Sequence, residues 1–111
     1  MPSHIKSLTF DCRDALVLAE FWAAVLGSNV DEDATAQKAF VEAAGWGGPN
    51  MWFNAVPEPK SAKNRMHLDL RAPGPIAEEV ARLKGLGATV LREEADIVVM
   101  ADPEGNEFCV E

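Results

Sequence analysis

The sequence predicts an α+β fold in which two βαβββ modules form a curved, partly open, eight-stranded mixed sheet with the helices outside. The same order of a strand, a helix and further strands occurs in each half of the chain. Shifting one half over the other by 60 residues aligns Leu26-Gly27 with Leu86-Gly87, at the expected end of each helix. One such half would leave the inner face of a short sheet bare, so two halves must combine to bury a core.

The first module spans residues 1–56 and opens with a strand at 5–11. A helix is predicted over 14–26, because Asp14 can act as its N-cap and Leu18, Phe21 and Trp22 recur at helical spacing. Gly27 is expected to end this helix. Weaker strand patterns follow at 38–44 and 50–56.

A polar connector, rich in proline and lysine, spans residues 57–64 and leads to the second module at 65–111. Its helix is predicted to begin with Pro75 in the first turn and to end before Gly87. The elements of this module are a strand at 65–71, the helix at 75–86, and strands at 88–93, 95–100 and 107–110.

Size and composition describe one folded domain of 111 residues, of which 48% are hydrophobic and 25% charged. The formal net charge is −8, with 18 acidic against 10 basic residues, so nucleic acid, which requires clustered positive charge, is not an expected partner. No apolar run approaches the roughly 18 residues of a membrane span, and no signal-peptide pattern opens the chain. We therefore expect a cytoplasmic protein that does not associate with membranes, whose two cysteines remain thiols.

The sequence also lacks several catalytic motifs. It contains no glycine-rich phosphate loop, no Gly-x-Ser-x-Gly and no Cys-x-x-Cys. Nucleotide hydrolysis, serine hydrolase chemistry and a zinc knuckle are therefore unsupported.

The end of the chain is its most informative part. In the turn that begins at Asp102, Pro103 fixes φ near −65°, Gly105 and Asn106 tolerate positive φ, and the carboxylate of Asp102 can bind the turn backbone. The turn therefore sets which side chains of the final strand face inward, including that of Cys109.

These features together resemble the glyoxalase-like domains of the vicinal oxygen chelate superfamily. That superfamily also contains glyoxalase I, extradiol dioxygenases, and fosfomycin-resistance and bleomycin-resistance proteins. The resemblance covers nearly the whole chain and rests on the two modules, the connector, the strand Met66-His67-Leu68-Asp69-Leu70 and the turn Asp102-Pro103-Glu104-Gly105-Asn106.

The resemblance implies where a divalent metal would bind. Enzymes of the superfamily hold the ion with His, Glu or Gln from the first and last strands of each module, and those positions here are Ser7, Phe53, His67 and Cys109. A shift of one residue would replace Phe53 by Trp52 or Asn54. Only His67 is a standard ligand, although a thiolate at Cys109 could bind zinc at about 2.3 Å. We expect no cofactor; if a divalent metal binds, His67 and Cys109 are its ligands.

His67 and Cys109 are also the candidate catalytic residues. His67 could act as a general base, since its unperturbed pKa of about 6.5 suits proton transfer, or it could only hydrogen-bond within the cleft. Cys109 beside it would form a Cys–His pair, but no third orienting group is evident, and a buried cysteine also serves as a small hydrophobe.

A cleft between the modules could hold a flat or aromatic ligand. Trp22 lies on the apolar face of the first helix and is assigned to the core. The expected ligand-binding residues are Ser7, Trp46, Trp52, Phe53, Asn54, Arg65, His67 and Cys109.

The leading functional hypothesis is a small-molecule binding protein of the glyoxalase and bleomycin-resistance type with a degenerate metal site. One alternative is a metal-dependent lyase, isomerase or oxygenase of the same superfamily that uses His67. Another is a non-catalytic interaction module whose cleft is vestigial. The resemblance further implies a homodimer that binds a small organic ligand.

Overall fold

A computed structural model describes residues 1–111, apart from the side chain of Trp46. The chain divides into two compact units, Met1–Pro59 and Lys60–Glu111. Each unit combines one α-helix with a mixed β-sheet, which confirms the predicted α+β class.

The first unit contains a three-stranded sheet in the order β1-β3-β2. β1 is parallel to β3, and β2 is antiparallel to it. A short 3₁₀ helix at Ala44–Trp46 joins β2 to β3. The elements are β1 (Ser7–Cys12), α1 (Ala15–Leu26), β2 (Lys38–Val41) and β3 (Asn50–Ala55).

The helix α1 has the caps that the sequence predicts. Asp14 is extended, with φ −132°, and its carboxylate accepts a hydrogen bond of 3.1 Å from the Val17 N–H. Gly27 ends the helix in the left-handed region, at φ 67°. Seven α1 residues are buried, including Leu18 and Trp22, so this helix supplies much of the core of its unit.

The second unit contains a four-stranded sheet in the order β4-β7-β6-β5. β4 is parallel to β7, and the other two neighbouring pairs are antiparallel. The elements are β4 (Asp69–Leu70), α2 (Ile76–Leu86), β5 (Thr89–Glu93), β6 (Val98–Ala101) and β7 (Glu107–Val110).

The turn before β7 is organised by the buried carboxylate of Asp102. Its Oδ1 accepts hydrogen bonds from the backbone N–H groups of Glu104, at 2.9 Å, and Asn106, at 3.0 Å. The Asn106 side-chain amide donates to the same carboxylate, and Gly105 adopts φ 87°. The expected Asp-Pro-x-Gly-Asn turn is thus present, and it fixes the register of β7.

The strand count differs from the prediction. The part of the chain that the structure describes has seven strands in sheets of three and four, rather than one sheet of eight. A βαβββ module has one strand more than the three of the first unit, in which Val30 and Val41 form only a single bridge. The acidic segment around it forms turns instead, in which Ala34 donates to Asp31 and Thr35 donates to Lys38.

The first strand of the second unit is also shorter than expected. Only Asp69–Leu70 is a regular strand, although residues 65–71 were predicted to form one. Among the described helices, none combines the length and the apolar character needed to cross a bilayer.

Candidate functional site

The side chains of interest in the second unit lie on the sheet face opposite α2. Phe108 and Val110 of β7 are buried with Val80 and Leu83 of the helix, so the alternation of the strand turns Cys109 to the other face. In the parallel register, Asp69 is the direct partner of Cys109. His67 precedes Asp69 by two residues, and the structure brings its imidazole to the same place.

His67, Asp69 and Cys109 form a compact cluster of three donor groups. The Nδ1 of His67 lies 3.4 Å from Oδ1 of Asp69. One imidazole nitrogen, one carboxylate oxygen and the Cys109 Sγ all lie within 4.8 Å of one another. The side chains of His67 and Asp69 are 43% and 53% exposed, whereas Cys109 is 6% exposed. The cluster is therefore open to solvent on one side and closed at the sulfur.

The surroundings of Cys109 keep its thiol protonated. Burial raises its pKa most, and the negative charge of Asp69 and a hydrogen bond with that carboxylate raise the pKa further. Glu111 acts in the same direction, while the positive charge of Arg92 opposes it. A protonated thiol is a poor nucleophile, so without a metal or a ligand Cys109 is not an activated cysteine.

A second polar group, Glu107, lies two residues before Cys109 on the same strand. Its carboxylate pairs with the Lys60 Nζ at 2.7 Å and accepts a hydrogen bond of 2.9 Å from the Asn64 N–H. Burial would raise the Glu107 pKa, but these hydrogen bonds and the Lys60 charge outweigh it, so the pKa lies below its usual value. The connector is thereby attached to β7, and Glu107 is already paired within the protein.

In the first unit, the sheet face opposite α1 carries an aromatic pair. The rings of Phe40 and Trp52 have their centroids 4.6 Å apart, and the Lys38 Nζ lies 5.0 Å from the centroid of the Trp52 ring. Ser7, Trp52 and Asn54 are all partly exposed. A flat ligand could stack on Trp52 here, with Lys38 and Asn54 as polar neighbours that face each other across the β2–β3 pair.

The register of the sheets corrects one expected correspondence between the modules. A shift of 60 residues maps Asp69 onto Thr9, whose partner in β3 is Trp52. The counterpart of Cys109 in the first unit is therefore Trp52, one of the two neighbours that a one-residue shift allowed, and not Phe53. Phe53 is 0% exposed and its ring lies 5.4 Å from that of Phe10, in the core against α1.

The remaining candidates lie apart from these groups or are not described. Arg65 is exposed and outside regular secondary structure. The Trp46 side chain lies outside the described residues. Trp22 is buried in the core, as expected, with its ring 5.9 Å from that of Phe10.

Asp69 is the functional candidate that the sequence interpretation missed. The signal was available, because residues two apart on a strand face the same side, and Asp69 follows His67 by two. Asp69 also supplies the third group that a Cys–His pair would need.

A family model described as a glyoxalase-like domain matches residues 7–111. The chain belongs to this family. Among curated proteins, none matches the sequence of this glyoxalase-like protein.

Solved structures share its fold at low sequence identity. A glyoxalase/bleomycin resistance protein/dioxygenase family enzyme from Burkholderia phytofirmans has a TM-score of 0.79 at 18% identity, over 97% of each chain. A structure described as a possible glyoxalase from Bacillus cereus has a TM-score of 0.72 at 20% identity, over 98% of each chain.

A third similar structure was solved with a metal. It is a point mutant of the fosfomycin resistance protein FosX from Listeria monocytogenes, complexed with Mn(II) and 1S,2S-dihydroxypropylphosphonic acid. Its TM-score is 0.76 at 14% identity, over 100% of this chain and 90% of that chain. At these identities the likeness shows the fold alone.

Two of the four positions that the resemblance implies as metal ligands, His67 and Cys109, lie together in the cluster of the second unit. The first unit offers Ser7 and, by register, Trp52, neither of which supplies an imidazole or a carboxylate. The second unit offers His67 and Cys109, and Asp69 adds a carboxylate between them. The donor atoms that lie close together are therefore those of the second unit.

Proposed function

We propose that this protein binds a small organic molecule, in the manner of the glyoxalase and bleomycin-resistance type, and that it does so without the four-ligand metal site of the superfamily's enzymes. The observation that carries the proposal is the aromatic group opposite α1, where Phe40 and Trp52 are in ring contact beneath Lys38. A partly exposed tryptophan on a rigid sheet offers a large apolar surface at little entropic cost.

Polar groups beside this surface would orient the ligand. Asn54 lies two residues beyond Trp52 on β3, on the same face, and its backbone carbonyl accepts a hydrogen bond from the Cys12 Sγ at 3.5 Å. The Asn54 side-chain amide can offer both a donor and an acceptor, while Lys38 offers a positive charge. A flat molecule that carries an acidic or carbonyl group matches this set.

The experiment measures binding of three probes that represent the superfamily: bleomycin, catechol and fosfomycin. We expect saturable quenching of tryptophan fluorescence by bleomycin or catechol, with an equal Kd in the presence and absence of EDTA. Trp52→Ala should weaken this binding at least tenfold, and Trp52→Phe, which keeps a ring, should weaken it less. Isothermal titration calorimetry gives the stoichiometry without relying on the altered fluorophore.

Two outcomes would contradict the proposal. One is the absence of binding to all three probes by calorimetry. The other is binding that requires added metal or is unchanged in Trp52→Ala. His4→Ala serves as a matched surface control, because His4 is exposed and lies outside both sheets.

A second function is favoured by the cluster opposite α2. The carboxylate of Asp69 lies 3.4 Å from the Nδ1 of His67, so it faces this side of the imidazole and leaves Nε2 available as a general base. This arrangement supports a lyase, isomerase or oxygenase of the superfamily. Turnover of a probe that is abolished in His67→Ala would support this enzyme over a simple binding protein.

We also propose that the protein is a homodimer. The described surface exposes several large apolar side chains, among which Ile5 is 74% exposed and Leu91 54% exposed. Sedimentation velocity should give about twice the 12.0 kDa chain mass. A species of the single-chain mass at micromolar concentration would contradict the dimer.

A further inference from the structure

His67, Asp69 and Cys109 converge on one point although their side chains come from separate segments. The parallel pairing of β4 with β7 sets Asp69 directly beside Cys109. The strand-like chain before β4 then brings His67 to the same face, two residues earlier. Three different donor elements, nitrogen, oxygen and sulfur, thus lie within 4.8 Å of one another.

The distances are close to those of a tetrahedral metal site. Zinc bonds of about 2.0–2.1 Å to nitrogen and oxygen place two such ligands about 3.3–3.4 Å apart at adjacent corners of a tetrahedron. The Nδ1 of His67 and the Oδ1 of Asp69 are 3.4 Å apart, which is longer than a normal hydrogen bond. All three donor pairs lie within 4.8 Å, so rotamer adjustments of about an ångström bring the sulfur to the same centre.

The donor types favour one class of metal. Thiolate and imidazole suit zinc-class ions, whereas manganese and magnesium prefer oxygen ligands. One thiolate and one carboxylate would together balance the charge of a divalent cation. Three protein ligands also leave a fourth position open, the arrangement of catalytic rather than structural zinc.

We propose that His67, Asp69 and Cys109 form a three-ligand site for a zinc-class divalent cation within the second unit. This site differs from the four-position site of the superfamily, because all its ligands come from one unit and Asp69 is not one of the four positions. It does not depend on the proposed binding of an organic molecule by Trp52. On binding, the Cys109 S–H bond breaks, the sulfur bonds to the metal and the proton passes to solvent.

The test titrates the full chain, stripped of metal with EDTA and kept reduced, with Co²⁺ and Zn²⁺. Bound Co²⁺ should give a thiolate-to-cobalt charge-transfer band in the near ultraviolet, at a stoichiometry of one ion per chain. Competition with Zn²⁺ should bleach this band, and Mn²⁺ should bind at least tenfold more weakly than Zn²⁺. Equilibrium dialysis with elemental analysis gives an independent count of bound zinc.

Nearly isosteric variants identify the ligands. Cys109→Ser should abolish the charge-transfer band, and Asp69→Asn and His67→Ala should each weaken Zn²⁺ binding at least tenfold. The chain supplies its own matched controls, since it contains one other histidine and one other cysteine. His4→Ala and Cys12→Ser should leave the cobalt spectrum and the stoichiometry unchanged.

The absence of stoichiometric Zn²⁺ in the wild-type chain would overturn the proposal. So would a cobalt spectrum that persists in Cys109→Ser, or zinc affinity unchanged in Asp69→Asn. Far-ultraviolet circular dichroism of every variant separates the loss of a ligand from the loss of the fold. Organic-ligand binding that survives EDTA, together with a failed metal titration, would remove this inference and leave the proposed function standing.

Discussion

The two units use the same backbone plan for different surface chemistry. In each unit a first strand runs parallel to the last one, and the alternation of that last strand divides core residues from surface residues. Opposite α1 the first unit presents Trp52 with Phe40 and Lys38, whereas opposite α2 the second unit presents His67, Asp69 and Cys109. The two units therefore share the parallel pairing of their first and last strands, while the side chains on the face opposite the helix differ in chemistry.

The two units also differ in how they are stabilised. α1 buries seven of its residues, whereas α2 buries Val80 and Leu83. The second unit adds polar interactions at the start of its last strand, through the Asp102 turn and the Lys60–Glu107 pair. Substitutions should therefore act mainly through apolar packing in the first unit and through hydrogen bonds in the second.

The largest expected effect comes from the core of the first unit. Phe53→Ala should lower the free energy of unfolding by about 3–5 kcal/mol, because it leaves a cavity between β3 and α1. Trp52→Ala, one residue earlier on the opposite face, should cost less than half as much. Urea denaturation followed by circular dichroism measures both variants.

The two variants test the register directly. If Trp52→Ala were the more destabilising, Trp52 rather than Phe53 would lie in the core, and the assignment of Trp52 as the counterpart of Cys109 would be wrong. Phe53→Leu retains most of the side-chain volume and should fold even if Phe53→Ala does not.

In the second unit, Asp102→Ala should lower the free energy of unfolding by about 1–3 kcal/mol. The substitution leaves the backbone N–H groups of Glu104 and Asn106 without their carboxylate acceptor. Asp102→Asn keeps one acceptor oxygen and should cost less. Equal unfolding midpoints for Asp102→Ala and the wild type in urea would show that the turn forms without this carboxylate.

Structural features that depend on neighbouring residues could be predicted from the sequence, whereas features that depend on distant strands could not. The Asp14 cap, both glycine helix ends, and the turn before β7 depend on neighbouring residues, and each is present where predicted. The length of β4 depends on pairing with a distant segment, which periodicity does not report. The position of Phe53 was misjudged for a related reason, since strand register requires knowledge of both partners.

The glycines that end the two helices should give effects that differ between the two positions. Gly27 has φ 67°, where asparagine is tolerated, whereas Gly87 has φ 119°, which L-residues rarely adopt. Gly87→Ala should therefore cost more, about 1–3 kcal/mol, than Gly27→Ala, at about 1 kcal/mol. Gly27→Asn should leave the stability nearly unchanged, whereas Gly87→Asn should lower it. Thermal unfolding of the four variants checks this order.

The smallest effect concerns the pH dependence of the second unit. The pKa of Glu107 is below its usual value when folded, so its stabilising contribution is present above the unfolded pKa of about 4.3 and is lost as the pH falls through the folded pKa. Glu107→Gln should lower the free energy of unfolding at pH 7 by less than about 1 kcal/mol and flatten its decline below about pH 4.3.

Glu79 provides the comparison for Glu107 within the same unit. A hydrogen bond with Arg82, three residues along α2, lowers the Glu79 pKa, and the Arg82 side chain is 44% exposed, compared with 25% for Lys60. Glu79→Gln should therefore change the free energy of unfolding at acidic pH by only about 0.3–0.5 kcal/mol. This change should be smaller than that caused by Glu107→Gln. If the two substitutions had equal effects, the Lys60–Glu107 pair would contribute no more than an ordinary surface ion pair. Attachment of the connector to β7 would then depend on the hydrogen bond that the Asn64 N–H donates to the Glu107 carboxylate rather than on the charge of Lys60.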